Sequence, residues 1–255
     1  MLNALAKEAP PQALIDLAAT RRDPNESFAE VDARPSKAED SDTSVACKAL
    51  ARLLTKPVRN AVKPEQLSVG VPGATTTMAI GIRERIEEAK KSGSPLLVVA
   101  TDISNAHNEF CRERAQRSIM ELADNDPSLT PLIRAHAVLA DTNSPIFARD
   151  PSKHRPEFLC FSSAGGGQGN ALTNLVFPIV LDKHLKDITS SSTGASGSPG
   201  HVEALAIQDD VTMLGDPNRI LDNEGTTDSA PTPGALTTFN EGLGTSKLTC
   251  NVKKY

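Results

Sequence analysis

The stretch that most restricts the fold of this chain is an apolar segment that breaks on two adjacent acids and then resumes. It runs from Ala204 to Gly215, with Asp209 and Asp210 at the break. Short apolar segments on either side of a polar pair are typical of a β-hairpin with the acids at its bend. Because neighbouring carboxylates repel each other, a fold keeps such a pair either in water or around a cation. The stretch therefore predicts a hairpin that ends in a solvated acidic turn or in part of a metal site.

A third acid follows another apolar run earlier in the chain. Residues 95–101 are almost wholly apolar and lead directly into Asp102. This pattern predicts a strand that is buried on both faces and ends on the acid. Carboxylates from a strand end and a hairpin tip can converge on one edge of a sheet. Three convergent carboxylates bind two divalent cations about 4 Å apart, and Mg²⁺ suits them because it prefers oxygen ligands and also takes substrate phosphates.

A glycine-rich turn lies between these two acidic segments. Residues 158–163 read as a short apolar strand, residues 164–169 are rich in glycine and include Gln168, and residues 170–186 form a strongly apolar helical pattern. Glycine lets the backbone approach a nucleotide closely, and the free N–H groups at a helix start favour anions. The turn is therefore a candidate nucleotide contact.

The remaining segments are mainly helical in pattern. Helices are predicted over residues 45–62, with a kink or an end at Pro57, and over residues 75–91, with Gly93 as the C-terminal cap. Further helices are predicted at 112–123, 127–139 and around 236–239. The opening stretch could be a helix, and residues 23–43 do not resemble paired strands. Residues 190–200 read as a Ser/Gly linker and residues 216–233 as a loose loop.

Composition limits the class of protein. The formal charge of −5 counts against a protein that binds nucleic acid over its whole surface, because phosphate contacts need Lys and Arg. A local basic groove is compatible with this charge. The four cysteines form no CxxC pair, so neither a zinc knuckle nor a disulfide framework is indicated. No signal peptide or membrane-spanning run is evident, which predicts an intracellular protein of the nucleus or cytoplasm rather than a secreted or membrane protein.

Four segments in order resemble the palm motifs of the reverse transcriptase domain of non-LTR (LINE-like) retroelements. The segments are residues 101–112, 165–177, 204–215 and 242–254, and residues 64–70 are similar to an element of the family's fingers. The resemblance covers roughly residue 45 to the end. Each motif is weak to moderate by itself, but four in the right order form a specific signal.

The resemblance implies a set of metal ligands. Asp102 and Asp209 would be the main ligands, with Asp210 beside them and the backbone carbonyl of Ile103 as a further ligand. They would hold two Mg²⁺ ions, with Mn²⁺ as a possible substitute.

The resemblance also implies contacts to the nucleotide. Gln168 would lie near the incoming nucleotide and the template, and Gly169 would allow close packing there. Lys254 would lie near the pyrophosphate as a general acid, with Lys247 as the second choice if the fourth motif is misplaced. A solvated surface lysine is the alternative for either.

The chain departs from the family pattern at several positions. His107 stands where the family usually has a large aromatic that blocks a ribonucleotide's 2′-hydroxyl, which implies either altered sugar selection or drift. Ile207 replaces the aromatic before the paired acids, and Gln208 replaces an apolar residue. In the fingers, only Arg34-Pro35 is available for the arginine that contacts triphosphate in the family, and Arg52 is the alternative.

The predicted fold is α+β: a right-hand polymerase palm with a small antiparallel sheet and helices on one face, preceded by partial, mainly helical fingers. The sheet is built from the strand at 96–101 and the hairpin at 205–214. Residues 1–44 are poorly defined, residues 45–95 form the fingers, and residues 96–255 form the palm. The chain ends just after the fourth motif, so no thumb is expected, and the chain is expected to be part of a larger retroelement protein.

The predicted activity is that of an RNA-directed DNA polymerase, with an RNA template, a DNA primer and dNTPs as partners. Two alternatives stay open. One is an inactive or domesticated remnant that binds nucleic acid, and the other is a metal-dependent phosphohydrolase that uses the same acids. The glycine-rich turn ahead of an apolar helix favours the polymerase, because a hydrolase needs no such nucleotide platform.

Overall fold

A computed structural model describes residues 2–6, 33–37, 41–141, 144–148, 157–167, 169–190, 201–222 and 233–252. The strands in these ranges are β1 (Leu2–Ala6), β2 (Ala33–Lys37), β3 (Leu97–Ser104), β4 (Ser144–Ala148), β5 (Glu157–Ser162), β6 (Glu203–Ile207), β7 (Asp210–Gly215) and β8 (Thr249–Val252). The α-helices are α1 (Ser41–Val62), α2 (Ala74–Ser92), α3 (Ala106–Glu109), α4 (Arg112–Asn125), α5 (Thr130–Asp141), α6 (Thr173–Ser190), α7 (Pro217–Ile220) and α8 (Ala235–Thr245), and a 3₁₀ turn spans Pro127–Leu129.

Four strands form the central antiparallel sheet in the order β6-β7-β3-β8. The predicted hairpin supplies β6 and β7, and the predicted apolar strand supplies β3 between β7 and β8. The fourth strand comes from residues 249–252, for which no strand was predicted. The small antiparallel sheet of the predicted palm is therefore confirmed and is one strand wider than expected.

The two faces of this sheet differ. Ile103, Val211 and Met213 are buried in a single core cluster with Phe177 and other side chains of α6. On the other face, Val98 is 37% exposed and Asp210 is exposed, although Thr212 and Leu214 of β7 are buried there. The prediction that the first apolar run is buried on both faces is wrong, because an antiparallel sheet can pack helices on one side and leave the other side open.

The region before the sheet is mainly helical, as predicted for residues 45–95. Helix α2 ends where expected, with Gly93 in the left-handed conformation at φ 69°. Helix α1 continues through Pro57 to Val62, so the proline does not end it. Proline leaves the carbonyl four residues earlier without its helical donor. That residue is Leu53, whose side chain is 75% exposed, so the surface position gives water access to this turn.

Two strand pairs were not predicted. Strands β1 and β2 pair antiparallel from Leu2↔Lys37 to Ala6↔Ala33. The opening stretch therefore contains a strand where a helix was considered. Residues 23–43 likewise contain a paired strand, although none was predicted there. Strand β4, for which no element was predicted, pairs with β5. Each pair joins segments that are separated along the chain, so the local pattern of one segment does not reveal its partner.

The predicted loop at 216–233 begins with the single turn α7, which Asp216 caps by accepting the N–H of Asn218 at 2.8 Å. Residues 223–232 of that loop and residues 191–200 of the predicted linker lie outside the described residues. No helix in the described ranges is long and apolar enough to cross a membrane. The division of the chain at residues 45 and 95 stays a prediction.

Candidate functional site

The acids of two distant segments meet where β3 pairs with β7. Asp102 stands directly opposite Asp210 in the strand register, and the N–H of Ile103 donates to the carbonyl oxygen of Asp209 at 3.1 Å. Residues in register on antiparallel strands place their side chains on the same face of the sheet, with Cβ atoms roughly 5 Å apart. The backbone pairing therefore brings the three acids to one edge of the sheet, as the sequence predicts.

Two details of this edge differ from expectation. The bend of the hairpin consists of Gln208 and Asp209, whereas Asp210 already begins β7. Strand β3 does not end on Asp102 but continues to Ser104, because β8 pairs with it over residues 101–104. Asp102 consequently lies within a strand and is fixed by neighbours on both sides.

The second neighbour of Asp102 is Asn251, which stands opposite it on β8. The Nδ2 of Asn251 donates to the Oγ of Ser104, the next residue of β3 on the same face. A row of polar side chains thus crosses the open face of the sheet from Asp210 through Asp102 to Asn251. The sequence reasoning included Asn251 in the fourth motif but gave it no role.

The donor chemistry at this edge suits a hard cation. Asp102, Asp209 and Asp210 offer carboxylate oxygens, which Mg²⁺ prefers, and Mg²⁺ characteristically completes its shell with water and substrate phosphates. Ile103 is buried at 1% exposure, and its N–H is already engaged by Asp209. Among the described residues, no group of three or more His, Cys, Asp and Glu is arranged to hold a metal ion. The three acids thus have suitable donor chemistry without forming a preassembled cage.

The hairpin bend is fixed by side chains from outside the sheet. Gln208 has a φ of 57°, in the left-handed region that few residues with a Cβ adopt. The buried amide of Gln66 binds the backbone of Gln208, and segment 65–67 pairs with the outer edge of β6 through Ala206. The sequence reasoning treated residues 64–70 only as a family element and assigned no contact to Gln66.

His107 lies beside this bend, on the one-turn helix α3. Its ring is half-buried, with its centroid 5.2 Å from that of Phe177, and its Nε2 is 3.3 Å from the Oε1 of Gln208. The imidazole therefore lies near the acids, where a ring was expected to select the sugar. Its effect on sugar selection stays a prediction.

The glycine-rich turn packs on α3 so closely that glycine is required. Gly165 has a φ of 61°, and a Cβ there would lie 2.4 Å from the backbone carbon of Asn108. The N–H of Gly165 donates to the carbonyl of Phe110 at 2.9 Å, and the N–H of Gly166 donates to that of His107 at 3.0 Å. The turn is thereby held against the segment that follows Asp102.

Arg112, at the start of α4, binds the same turn through several hydrogen bonds. Its guanidinium donates to the carbonyls of Gly165 at 2.7 Å and Ala164 at 3.1 Å, and to the Oγ of Ser162 at 3.1 Å. Burial lowers the pKa of Arg112. In the sequence, Arg112 belongs to the first motif without an assigned role; its hydrogen bonds show that it positions the turn.

A cavity of about 270 Å³ lies between the turn and α5. His136 on its wall is buried, and its Nδ1 lies 2.7 Å from the Oε1 of Gln116. Burial, reinforced by the nearby charge of Arg112, lowers the pKa of His136 to about 4. The imidazole is therefore neutral at physiological pH.

The other predicted residues are placed as follows. Gly169 is exposed at the end of the turn, with a φ of 99°. Lys247 is exposed in the bend between α8 and β8, and Arg52 is exposed on α1 with no described hydrogen bond or ion pair to the acids. Gln168 and Lys254 lie outside the described residues, so their roles stay predictions. The structure thus brings His107 to Gln208, the residue before Asp209, and shows no such contact for Arg52 among the described residues.

By sequence, no protein family and no curated protein matches this chain. Solved structures of yeast telomerases do match its fold. Telomerase from Candida albicans in complex with the TWJ fragment of telomeric RNA has a TM-score of 0.52 at 11% identity, over 82% of this chain and 34% of that chain. The corresponding complex from Candida tropicalis has a TM-score of 0.51 at 12% identity, over 80% and 32%.

A third match is apo telomerase from Candida tropicalis truncated from its C-terminal domain, with a TM-score of 0.50 at 10% identity over 88% of this chain and 48% of that chain. The present chain thus spans between 32% and 48% of the length of these three proteins. At such low identity the likeness establishes the fold alone. The fold is that of a right-hand nucleic-acid polymerase, comprising a palm with partial fingers, as the sequence predicts.

Proposed function

We propose that this chain is the palm and partial fingers of an RNA-directed DNA polymerase of the non-LTR retroelement type. The observation that supports it most directly is the pairing of Asp102 with Asp210, reinforced by the bond from the Ile103 N–H to the carbonyl of Asp209. The pairing places Asp102 and Asp210 on one face of the sheet, with Asp209 in the adjoining bend, so the three acids meet at one edge of the sheet although their segments lie far apart in sequence.

The proposed reaction transfers a nucleotide from a dNTP to the 3′-hydroxyl of a DNA primer paired with an RNA template. Asp102, Asp209 and Asp210, with the carbonyl of Ile103, would hold two Mg²⁺ ions. When bound, such ions activate the attacking hydroxyl and stabilise the departing pyrophosphate.

The chain's own residues have separate parts in this proposal. His107, packed on Phe177, would contact the sugar of the incoming nucleotide, and Gln168 and Gly169 would line its base and template. Lys254 would donate a proton to the leaving pyrophosphate. The template, the primer and the rest of a larger retroelement protein would be the partners, within the nucleus or cytoplasm.

The alternative is a nucleic-acid-binding protein without activity, and the arrangement of the acids does not separate it from a polymerase. The described residues contain no preassembled group of three metal-binding side chains. A polymerase that recruits Mg²⁺ together with substrate phosphates has the same appearance before its substrates bind. The two candidates therefore differ in what happens when a template, a primer and a dNTP are all present.

Primer extension on poly(rA)/oligo(dT), with Mg²⁺ or Mn²⁺, separates them. The wild-type chain is expected to extend the primer, and Asp209→Asn is expected to abolish extension while leaving binding of the template–primer intact. Equal extension by both proteins, or extension by neither with either metal, would contradict the proposal.

A further inference from the structure

Residue Gln208, which immediately precedes Asp209, is held at every hydrogen-bonding group it possesses. Its N–H donates to the Oε1 of Gln66 at 3.1 Å, and its carbonyl accepts from the Nε2 of Gln66 at 3.3 Å. Its side-chain Nε2 donates to the carbonyl of Asn174 at 3.3 Å, and its Oε1 lies 3.3 Å from the Nε2 of His107. Three separate segments of the chain thus converge on one residue of the bend.

Gln66 makes the contacts that determine the backbone at this point. Its side chain is completely buried, and its Oε1 also accepts the N–H of Ser68 at 3.2 Å. The adjoining backbone is fixed to the hairpin: the N–H of Leu67 donates to the carbonyl of Ala206 at 2.8 Å, and the N–H of Ala206 donates to that of Glu65 at 2.7 Å. The amide therefore projects from a segment that is itself docked on the sheet.

This contact matters because the bend is conformationally unfavourable. A residue with a Cβ seldom adopts the φ of 57° observed at Gln208. An amide that binds both the N–H and the carbonyl of such a residue compensates for that cost and defines its peptide planes. The carbonyl of Asp209 in turn binds Ile103, so the orientation of the bend is transmitted to the acids on both strands.

We propose that Gln66 is a positioning residue for the acids: it holds the Gln208–Asp209 bend in the orientation that lets Asp209 and Asp210 share a divalent cation with Asp102. This inference rests on the proposed function for its catalytic consequence, whereas its consequence for metal binding is independent of catalysis. The amide does not touch the acids themselves and acts through the backbone of Gln208.

The test compares Gln66→Met with a matched variant, Gln116→Met. Gln116 is a partly buried amide that, like Gln66, joins two segments, because its Nε2 donates to the carbonyl of Ile133 at 3.2 Å and its Oε1 contacts His136. Both substitutions remove side-chain amide hydrogen bonds, but only Gln66 contacts the bend. Folded fractions are measured by circular dichroism, and rates are expressed per folded molecule.

Two readouts are required. The first is kcat for primer extension on poly(rA)/oligo(dT), and the second is binding of Mn²⁺ alone, followed by electron paramagnetic resonance. Gln66→Met is expected to lower kcat at least tenfold and to raise the Mn²⁺ dissociation constant at least threefold, whereas Gln116→Met stays within twofold of wild type in both. Gln66→Glu keeps the acceptor for the two N–H groups and is expected to fall between wild type and Gln66→Met.

Each outcome decides the inference. Values for Gln66→Met within twofold of those for Gln116→Met in both readouts would overturn it. If Gln66→Met does not fold, Gln66→Glu decides, and wild-type kcat and Mn²⁺ binding in that variant would likewise overturn it. If wild type fails to extend primers but binds Mn²⁺ in an Asp209-dependent manner, the proposed function fails and the Mn²⁺ comparison still judges Gln66. Absence of Asp209-dependent Mn²⁺ binding overturns both.

Discussion

Two regions of this molecule gather ionisable side chains, and they do so in opposite ways. The acid edge, formed by Asp102, Asp209 and Asp210, lies on the open face of the sheet, and backbone pairing sets its geometry. The second region, called the polar set, consists of Asp182, His184 and Lys186 on α6, the helix that packs on the covered side of the sheet. Asp182 and His184 are each 4% exposed.

Burial changes the pKa of two members of the polar set, Asp182 and His184. It raises the pKa of Asp182 to about 6, against the attraction of Lys186, whose Nζ lies 2.7 Å from Oδ2. It lowers the pKa of His184 to about 4, although the nearby Asp187 acts in the opposite direction. The Nε2 of His184 is 2.8 Å from the Oγ of Ser246, while its Nδ1 has no hydrogen-bond partner among the residues that the structure describes.

The difference indicates that the two regions contribute to different properties of the protein. At the acid edge, water and a cation can screen the charges, so like charges can be neighbours without being buried. Around Asp182 and His184, the packed protein excludes water, so burial shifts the pKa of each of these two groups in the direction that favours its neutral form. We therefore expect substitutions at the acid edge to change activity and those on the covered side to change stability.

The largest effect should come from Asp102→Asn. Under the proposed function, Asp102 would hold the cations, so loss of its carboxylate is expected to lower kcat by about a thousandfold or more, roughly 4 kcal/mol in activation free energy. The free energy of unfolding should be unchanged or slightly higher, because one of several like charges is removed. Primer extension and urea denaturation measure the two quantities. Asp124→Asn, at an exposed acid of α4, is the control, and equal losses in both variants would contradict this difference between the two regions.

On the covered side, Phe177→Ala should have the largest effect on stability. Phe177 is completely buried in the core cluster, so its removal is expected to lower the free energy of unfolding by about 3–5 kcal/mol. The same deletion at Phe158, which is 51% exposed, should cost less than about 1 kcal/mol. Urea denaturation compares the two variants, and a similar cost at both positions would show that Phe177 is not part of a close-packed core.

Asp182→Asn should reveal how the ionisation of Asp182 affects the free energy of unfolding. Because the folded-state pKa of about 6 exceeds the ordinary value of 3.8, the folded state binds the proton more tightly than the unfolded state. The resulting stabilisation is fully present below pH 4 and is lost as the pH rises through 6. Relative to the variant, wild type should therefore lose about 2–3 kcal/mol between pH 4 and pH 7.

Chemical denaturation of both proteins across that range measures this difference. His184 is present in both, and its opposite dependence, with stability lost as the pH falls toward 4, cancels in the comparison. A difference that stays constant from pH 4 to pH 7 would show that Asp182 is ionised throughout.

The smallest effect is expected at the ion pair that joins helix α2 to strand β6 of the hairpin. Arg85 on α2 binds both carboxylate oxygens of Glu203 on β6, with Nε 3.0 Å from Oε2. The two side chains are 28% and 22% exposed, so solvent screens the pair only in part. A double-mutant cycle with Arg85→Gln and Glu203→Gln should give a coupling energy of about 1 kcal/mol or less, which decreases at high salt.

Much of the sheet could be predicted because its strands have local signatures. The hairpin at 204–215 and the apolar run before Asp102 are patterns of a few residues each, and the order of the motifs indicated that they meet. The strands β1, β2, β4 and β8 were missed because their pairing depends on partners elsewhere in the chain rather than on their own residues.

The acids of the site could be predicted from the sequence, whereas the residues that hold them in position could not. A carboxylate after an apolar strand is conspicuous in sequence, whereas the role of Gln66 depends on a contact across 142 residues. The left-handed conformation of Gln208 was equally invisible, because glutamine gives no signal for positive φ. Arg112 belongs to a motif, but its carbonyl partners depend on the path of the glycine-rich turn, which the sequence does not reveal.

The distance between Gln66 and Gln208 along the chain also sets an order of assembly. Closing a loop of 142 residues costs roughly 4 kcal/mol of chain entropy, and that cost precedes any gain from the contacts it permits. The Gln208–Asp209 bend, and with it the orientation of Asp209 relative to β3, would therefore become ordered only after these two distant segments have met.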